Sequence, residues 1–378
     1  MSTTGFICGQ LGRFGVFAGL PVATGCHPAD MILSTADMPP VLLPAHPALL
    51  PGLTVLERGS REIQIGLDPR HGVVVEGLPP DLVARLRTLD GSKPVERILL
   101  AESEHRDQLR TLLRQLTALG LVTDAGRPDG PGLRRETGLW SLRARHHQAA
   151  LADRRRASAV AVHGDGRIAV AVAVLLANAG IGHVDLLVSG TVTEHDLGSG
   201  FTDRDVGRHR RPALADLLRR VDPEVRVTHL HDRYPELVLL TDAVVPAPEV
   251  VAELMDDGVP HMPVRVRDGT GIVGPLVLPG RSSCLRCADL HRTDLDPCWP
   301  RIAGQLAGRH QRPDLGAVQA CASLAVAQTM RLFSPAEPAP PAWNATLEID
   351  AFDGRIRHRG WPPHPRCGCG ARAVPQET

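Results

Sequence analysis

The stretch Val162–Gly182, "VHGDGRIAVAVAVLLANAGIG", decides the fold of the second half of this chain. A short apolar strand leads into Gly164 and Gly166, and the Ala-, Val- and Leu-rich run that follows is typical of a buried helix. Two glycines between a strand and a helix suit a phosphate-binding turn, because the backbone N–H groups of the helix N-terminus then face the ligand. A dinucleotide fingerprint would carry a further glycine where this chain has Arg167 and Ala169. The stretch therefore predicts a nucleotide-binding fold and leaves open whether its nucleotide site still works.

Length and charge limit the possible classes of protein. A chain of 378 residues suggests two or three domains. The formal net charge is zero, which gives no electrostatic argument for a nucleic acid or an anionic membrane as partner. No segment approaches about 20 uninterrupted apolar residues, so we predict no transmembrane helix. Lys93 is the single lysine, so most of the chain lacks the usual point charge for a phosphate.

Composition changes along the chain predict five regions. Residues 1–40 form an extension that is either disordered or the result of a wrongly assigned translation start. In the second case, Met31 or Met38 would be the true first residue. The other four predicted regions are a winged-helix-like α+β module at 41–124, a linker at 125–137, a Rossmann-like domain at 138–370 and a tail at 371–378.

The predicted module combines short strands with three helices. The runs "LTVLER", "EIQIG" and "GVVVEG" are rich in β-formers, and the third helix carries an apolar stripe that includes Leu109, Leu113 and Leu116. Arginines on the polar face of this helix stand beside Glu102 and Asp107, which is typical of a solvated helix face rather than a DNA-reading helix. We therefore expect the module to bind a peptide, with DNA binding as the less favoured alternative.

The second domain repeats strand and helix patterns. "AVAVH", the opening stretch and "HVDLLVS" form a β-α-β unit with the crossover of a parallel sheet, and "VRVTHL" and "ELVLLTD" continue the strands. The sequence therefore predicts an α/β domain with a mainly parallel sheet.

Six of the eight cysteines lie between residues 284 and 369, and this clustering points to a metal rather than to a secreted disulfide framework. Cys284 and Cys287 form a CxxC pair, and Cys367 and Cys369 form a CxC pair. Four thiolates suit one tetrahedral zinc, whose closed shell would be structural. Because the second pair is one residue short, His364 or Cys298 remains a possible substitute ligand. The cytoplasm is the expected compartment.

These features together resemble the ubiquitin-activating-enzyme-like superfamily, the ThiF/MoeB adenylyltransferases, over about residues 140–370. The resemblance rests on "HGDGRIAVAVAVLLANAGIGHVDLLV", the later "LVLLTDA" and "GPLVLPGRSSCLRC", an Ala-rich helix and the terminal "CGC". With its preceding module, the chain also resembles the leader-peptide-binding, cyclodehydratase-associated partner proteins of thiazole/oxazole-modified microcin pathways. The resemblance implies an ATP- and Mg-dependent activation of a carboxylate, a structural zinc held by a CxxC pair at each end, and a homodimer.

The first half of the implied nucleotide site is partly kept. Gly164 and Gly166 match the family's turn, Arg167 replaces the next family glycine and Ala169 the last one. Ser189 stands where the family has its ribose-binding aspartate. A serine can hydrogen-bond a hydroxyl group, but more weakly than a carboxylate does.

The second half shows the losses. Asp196–Ser199 occupies the place of the family's asparagine-leucine-x-arginine motif, so the phosphate-binding arginine is missing. Arg210 falls at the position of the family's lysine, and Asp242 matches the magnesium-binding aspartate, although Ala243 replaces the asparagine that follows it. If the protein is active, Asp242 and Arg210 are the expected catalytic residues. Two lost charge-assisted contacts of about 1.5–3 kcal/mol each would weaken ATP binding by roughly two to four orders of magnitude.

We therefore expect a degenerate family member with a structural zinc that serves as a peptide- or carrier-protein-binding partner, docked to a modifying enzyme. The alternative is an active adenylyltransferase that activates a C-terminal carboxylate, with Arg167 and Arg210 compensating for the losses. A DNA-binding regulator is the third possibility. An enzyme predicts a pocket that joins Gly164, Arg210 and Asp242, whereas a peptide adaptor predicts an apolar groove beside the third helix of the module.

Overall fold

The computed structural model of the chain describes residues 7–8, 42–50, 52–68, 72–125, 140, 143, 150–230, 234–334 and 339–372. It divides into two compact units, residues 1–152 and residues 153–378. Most of the predicted extension at 1–40, the linker at 125–137 except Ala125, and the tail after residue 372 lie outside the described residues. The domain boundaries predicted from composition stay predictions.

Among its described residues up to Ala125, the first unit contains six short strands and three helices. The strands are β1 (Ile7–Cys8), β2 (Pro47–Leu49), β3 (Val55–Gly59), β4 (Glu62–Ile65), β5 (Val73–Glu76) and β6 (Val122–Asp124). The helices are α1 (Pro80–Arg87), α2 (Val95–Leu100) and α3 (Arg106–Ala118). An antiparallel sheet has the order β1-β5-β4-β3, and β2 pairs with β6. This confirms the small N-terminal β/α module.

Helix α3 supplies much of the module's core. Leu109, Leu112, Leu113 and Leu116 are all buried, as their helical spacing predicts, and they pack in one cluster with residues of β4 and β5. The arginine on the opposite face is engaged locally: Arg110 pairs with Asp107 at 2.8 Å. The polar face of α3 thus carries at least one paired charge, and the expectation that the helix does not read DNA stays a prediction.

The second unit contains seven strands and seven helices among the described residues. The strands are β7 (Ala159–His163), β8 (His183–Leu187), β9 (Leu237–Thr241), β10 (His261–Arg267), β11 (Thr270–Val273), β12 (Ala345–Asp350) and β13 (Arg355–Gly360). The helices are α4 (Ala150–Ala157), which begins just before this unit, α5 (Arg167–Asn178), α6 (Arg210–Val221), α7 (Pro248–Asp256), α8 (Leu285–Leu295), α9 (Trp299–Leu306) and α10 (Leu315–Phe333).

One seven-stranded sheet has the order β13-β12-β11-β10-β9-β7-β8. The strands from β8 through β7 and β9 to β10 pair in parallel, and β11, β12 and β13 extend the sheet with antiparallel pairs. The α/β class with a largely parallel sheet around the opening stretch is confirmed, and the antiparallel strands make the sheet mixed. Because the four parallel strands all end at the same edge, the turns after β7, β8 and β9 meet there.

Small apolar residues explain how α5 packs. Its Ala and Val residues are buried on both the sheet side and the side that contacts α10, so two helices and the sheet approach closely. No helix in the described part of the chain is both long enough and apolar enough to cross a membrane.

Candidate functional site

The glycine turn lies where the sequence places it, between β7 and α5. Gly164 has a φ of +147°, and a Cβ atom there would overlap Thr241 and approach the carboxylate of Asp242. A Cβ atom at Gly166 would also overlap that carboxylate. Both glycines are therefore required in this structure because the end of β9 lies directly against the turn.

Asp242 occupies the N-terminus of α5. One carboxylate oxygen accepts hydrogen bonds from the backbone N–H groups of Gly166 at 3.0 Å and Ala169 at 3.3 Å, and the other accepts one from Ile168 at 3.1 Å. The hydroxyl of Thr241 donates to the same carboxylate at 2.8 Å. Asp242 itself has a φ of +69°, a left-handed conformation that aspartate adopts more readily than most residues. Its side chain thus acts as a cap supplied from a neighbouring strand.

This arrangement has an electrostatic consequence. The N–H groups at a helix N-terminus are the donors that hold a phosphate, and here a carboxylate already fills them. Asp242 is only 4% exposed, and burial raises the pKa of its carboxyl group, although the hydrogen bonds from Thr241 and the turn oppose that rise by favouring the ionised form. A phosphate that approached the same donors would meet a negative charge rather than free N–H groups.

The predicted ribose-binding position is also engaged within the chain. The backbone N–H of Ser189 donates to Asp165 at 2.5 Å, and its hydroxyl donates to the other oxygen of Asp165 at 2.8 Å. Asp165 lies between the two turn glycines, so a second carboxylate stands at the turn. Ser189 would have to exchange this partner before it could bind a ribose hydroxyl.

The two arginines predicted to compensate differ in how far they are engaged within the chain, and the Nε atom of each has no hydrogen-bond partner among the described residues. Arg210, the first residue of α6, pairs with Asp196 at 2.8 Å and donates to the carbonyl of Ser189 at 3.1 Å. Arg167 donates at 3.5 Å to the carbonyl of Pro313. Asp196, which stands in the implied asparagine position, therefore neutralises the charge that would otherwise face a phosphate.

A cavity of about 610 Å³ opens beside the glycine turn. Its lining includes Gly164, Asp165, Ser189 and Thr241, together with Arg211. Asp242 and Arg210 do not line it. The volume lies within the range of small-molecule sites, but the pocket does not join the three residues that an adenylating enzyme was expected to bring together.

The four predicted metal ligands come together at the other side of the domain. The Sγ atoms of Cys284 and Cys287 are 3.9 Å apart, and Cys367 lies 3.6 Å from Cys284 and Cys369 3.6 Å from Cys287. Tetrahedral Zn–S bonds of about 2.3 Å would place sulfurs about 3.8 Å apart. The donor set therefore fits a zinc ion, and the shorter CxC pair completes it.

The pKa values of the two buried thiols agree with a site that holds a metal cation. Burial raises the pKa of the Cys284 and Cys287 thiols, that of Cys287 to about 11, so both would ionise at neutral pH only if a positive ion shared the site. Of the two possible substitutes, Cys298 is exposed and outside the cluster. His364 is bonded elsewhere: Nε2 lies 2.8 Å from Asp294, and Nδ1 accepts from the N–H of Arg366.

His364 still supports the cluster. Its backbone N–H donates to the sulfur of Cys287 at 3.4 Å, and its carbonyl accepts from the N–H of Cys367 at 2.9 Å. The imidazole ring of His364 is fixed by Asp294, and His364 thereby holds the turn that carries the CxC pair. Its role is to position this pair rather than to bind the metal.

Comparison with known proteins now decides the family. The sequence profile of the ThiF family matches residues 142–371, which is more than half of the chain. The chain belongs to the ThiF family. Comparison with curated protein sequences gives no match.

Solved structures with this fold align with most of this chain and with nearly the whole length of their own chains. The E. coli enzyme MccB with SeMet MccA shares 16% identity and a TM-score of 0.63, and the comparison covers 86% of this chain and 99% of that one. For E. coli MccB with ATP the identity is 16%, the TM-score 0.62 and the coverage 85% and 99%. SeMet PaaA shares 18% identity over 82% of this chain and 98% of that one, with a TM-score of 0.61. At this identity the likeness shows the fold alone.

Two residues that shape the site, Thr241 and Asp165, were not predicted from the sequence, and neither was the ion pair of Asp196 with Arg210. Thr241 and Asp165 bond to the predicted residues Asp242 and Ser189. Asp165 carried a signal, because a carboxylate between two turn glycines opposes phosphate binding. Asp196 and Arg210 are 14 positions apart in the sequence, and no local pattern predicts their pairing.

Proposed function

We propose that this protein is a degenerate member of the ThiF family that binds a peptide or small carrier protein as the non-adenylating partner of a modifying enzyme. The observation that carries the proposal is the carboxylate of Asp242 on the N-terminus of α5. That carboxylate fills the donors a nucleotide's phosphates would need, and Asp196 pairs with Arg210. A structural zinc on the four cysteines is part of the proposal.

Two observations support a peptide as the partner. A solved relative in fold is the microcin C7 biosynthetic enzyme MccB in complex with N-formylated MccA. In the N-terminal module, β3 lies at the end of its sheet, with no further strand beyond it among the described residues. An extended peptide can add to such an edge through main-chain hydrogen bonds.

The edge of β3 suits peptide binding better than the cavity in the N-terminal module does. That cavity is only about 110 Å³ and is lined by residues such as Pro47, Arg85 and Asp90, rather than by α3. The apolar groove expected beside α3 is therefore not the feature on which peptide binding would rest. We propose the β3 edge instead.

The first test is a calorimetric titration of the zinc-loaded full chain with Mg-ATP. We expect no saturable heat up to millimolar ATP, because the phosphate donors and Arg210 are engaged within the chain. Asp242→Gly is the matched variant, since glycine tolerates the backbone conformation at this position. Micromolar binding by the wild type that disappears in Asp242→Gly would show a working magnesium and nucleotide site and would favour the adenylyltransferase instead.

The second test addresses the peptide. Twelve-residue random peptides displayed on phage would be selected on the full chain, and amide hydrogen exchange would then be followed with a selected synthetic peptide. We expect exchange to slow by about tenfold or more in β3, because edge amides gain main-chain partners. Slowing confined to residues 153–378 would contradict a peptide site in the module. Size-exclusion chromatography with light scattering on the same samples would test whether the chain forms a homodimer, as the family resemblance implies.

A further inference from the structure

A second and larger cavity, of about 730 Å³, opens in the second unit between α7, α8 and α9. It shares Pro246 with the cavity at the glycine turn, but neither Gly164 nor Ser189 lines it. Its volume falls in the range of sites that enclose a small organic ligand. None of the residues discussed for nucleotide binding explains this space.

A buried cation forms part of its wall. Arg265 on β10 is 7% exposed, and its Nη1 atom has no hydrogen-bond partner among the described residues. Burial, reinforced by the like charges of Arg292 and Arg267, lowers the pKa of Arg265 to about 9. A guanidinium withdrawn from water without a counter-ion is costly, so such a group calls for an anion from outside the chain.

The carboxylate of Asp289, which also lines the cavity, is hydrogen-bonded to groups other than Arg265. Asp289 accepts hydrogen bonds on one oxygen from Arg292 at 2.9 Å and from Nε1 of Trp299 at 2.9 Å, and no ion pair joins it to Arg265 among the described residues. Arg292 is committed to this pair, and its guanidinium also lies 4.5 Å from the ring centre of Trp361. The cavity therefore presents Arg265 as its buried cation that lacks a carboxylate partner.

Most of the remaining lining is apolar, although three cysteines of the four-cysteine cluster, Cys284, Cys367 and Cys369, also reach it. Val251 and Met255 come from α7, and Trp299 and Ala303 from α9, on elements that approach the cavity from different sides. One buried cation beside such a wall suits a single negative charge joined to an apolar group. Arg267 and Arg286 also line the cavity, but Arg267 is only half-buried and Arg286 is exposed, so Arg265 remains the buried cation. Asp289 and Asp256 in the lining would oppose the second negative charge of a phosphate dianion.

We propose that this cavity binds a carboxylate carried on a compact apolar body, with Arg265 on the carboxylate and the α7–α9 wall on the body. The carboxylate could belong to a free organic acid or to the last residue of a peptide, and the two sources share the chemistry that the cavity recognises. The site is independent of the proposed loss of adenylation.

Calorimetric titration of the zinc-loaded full chain would use two matched pairs of probes, octanoate with octanamide and N-acetylphenylalanine with its amide. We expect the acid of at least one pair to bind at least tenfold more tightly than its amide, because only the acid supplies the missing charge. A preference confined to octanoate would assign a free acid, and one confined to N-acetylphenylalanine would assign a peptide end. Equal or absent binding of acid and amide in both pairs would overturn the proposal.

Arg265→Met tests the cation itself. We expect this variant to lose the preference for the acid and to melt at a higher temperature than the wild type, because an apolar side chain of similar length removes an uncompensated buried charge. Arg220→Met, at an exposed position on α6, is the control and should change neither property. A lower melting temperature in Arg265→Met would show that the guanidinium is satisfied within the chain and would contradict the proposal.

Ala252→Phe gives a second variant that leaves the charge in place. Ala252 belongs to the α7 side of the lining, so a larger side chain there would fill part of the space for the apolar body. We expect it to weaken acid binding by about tenfold or more while Arg265 remains. Unchanged binding would place the acid outside this cavity.

Discussion

Replacing Cys287 by serine is expected to reduce the zinc content of the purified protein from about one ion per chain to less than a tenth. Cys287 lies 3.9 Å from Cys284 and 3.6 Å from Cys369, so its sulfur faces both pairs. Serine shortens the side chain and replaces a soft thiolate by a weak oxygen ligand. Metal analysis by plasma mass spectrometry after dialysis measures the effect.

The effect on stability should be large as well. Structural zinc sites contribute about 10–16 kcal/mol of apparent binding free energy in small zinc-dependent domains. Here the ion would join the segment that follows β11 to the segment that follows β13, across about 80 residues of chain. We expect Cys287→Ser, or removal of the metal by a strong chelator, to lower the melting temperature of the second unit by about 10 °C or more.

Cys298→Ser is the matched control, because Cys298 is exposed and lies outside the cluster. It should keep both the metal and the melting temperature. A wild-type protein that is purified without metal under reducing conditions, and whose melting temperature does not respond to added zinc, would contradict a structural zinc site.

The parts of the fold set by local pattern could be predicted from the sequence. Strand β7, the glycine turn and the small-residue helix α5 follow from alternation of residue types over a short distance. The four cysteines could be predicted as a group because a tetrahedral ion needs four donors and the chain offers two close pairs. The geometry of the CxC pair could not, since the turn that completes it depends on His364 and its partner Asp294.

The direction of individual charged side chains could not be predicted. The sequence pattern places Asp242 at the end of a strand. Whether its side chain faces a metal ion or the N-terminus of α5 depends on the left-handed backbone conformation of Asp242 itself. Arg265 belongs to the run "HMPVRVR", whose alternation predicts a strand with its charges at a water-facing side. It is buried because α7, α8 and α9 cover that side, and their placement is a tertiary property.

The same reasoning explains why the sequence left open whether the nucleotide site works. Lost ligands could be counted position by position, but the hydrogen bonds that engage the remaining positions are seen only in the structure. Asp165 binds Ser189, and Asp196 binds Arg210, so two positions that the family uses for its nucleotide are bonded to carboxylates of the same chain. An internal partner at each position is a stronger obstacle to a nucleotide than a missing ligand, because binding must first break an existing contact.

Asp242→Gly is expected to free the backbone N–H groups at the N-terminus of α5 and to create an anion site that the wild type lacks. Removing the carboxylate leaves three backbone N–H groups without their acceptor, whereas the Thr241 hydroxyl can still donate to the carbonyl of His163 at 3.1 Å. We expect the free energy of unfolding of the second unit to fall by about 2–4 kcal/mol, as for the loss of a helix cap with buried donors. Glycine is chosen because alanine would add the strain of a positive φ.

Inorganic phosphate should then restore part of the loss. An anion that binds the vacated N–H groups only in the folded state, at about ten times its dissociation constant, would return about 1.4 kcal/mol. Denaturant unfolding in phosphate and in sodium chloride of the same ionic strength measures this difference. The wild type, and the exposed variant Asp257→Ala, should show no specific response to phosphate.

The two possible outcomes separate the roles of Asp242. A phosphate response in Asp242→Gly alone would mean that the carboxylate acts as a resident anion, and the turn would then retain the geometry of a phosphate site while its own aspartate blocks it. A wild type that responds to phosphate as strongly as the variant would mean that Asp242 leaves the helix readily and does not block it. The proposal of a non-adenylating partner would then lose its main support, because the same donors would be free to hold the phosphates of ATP.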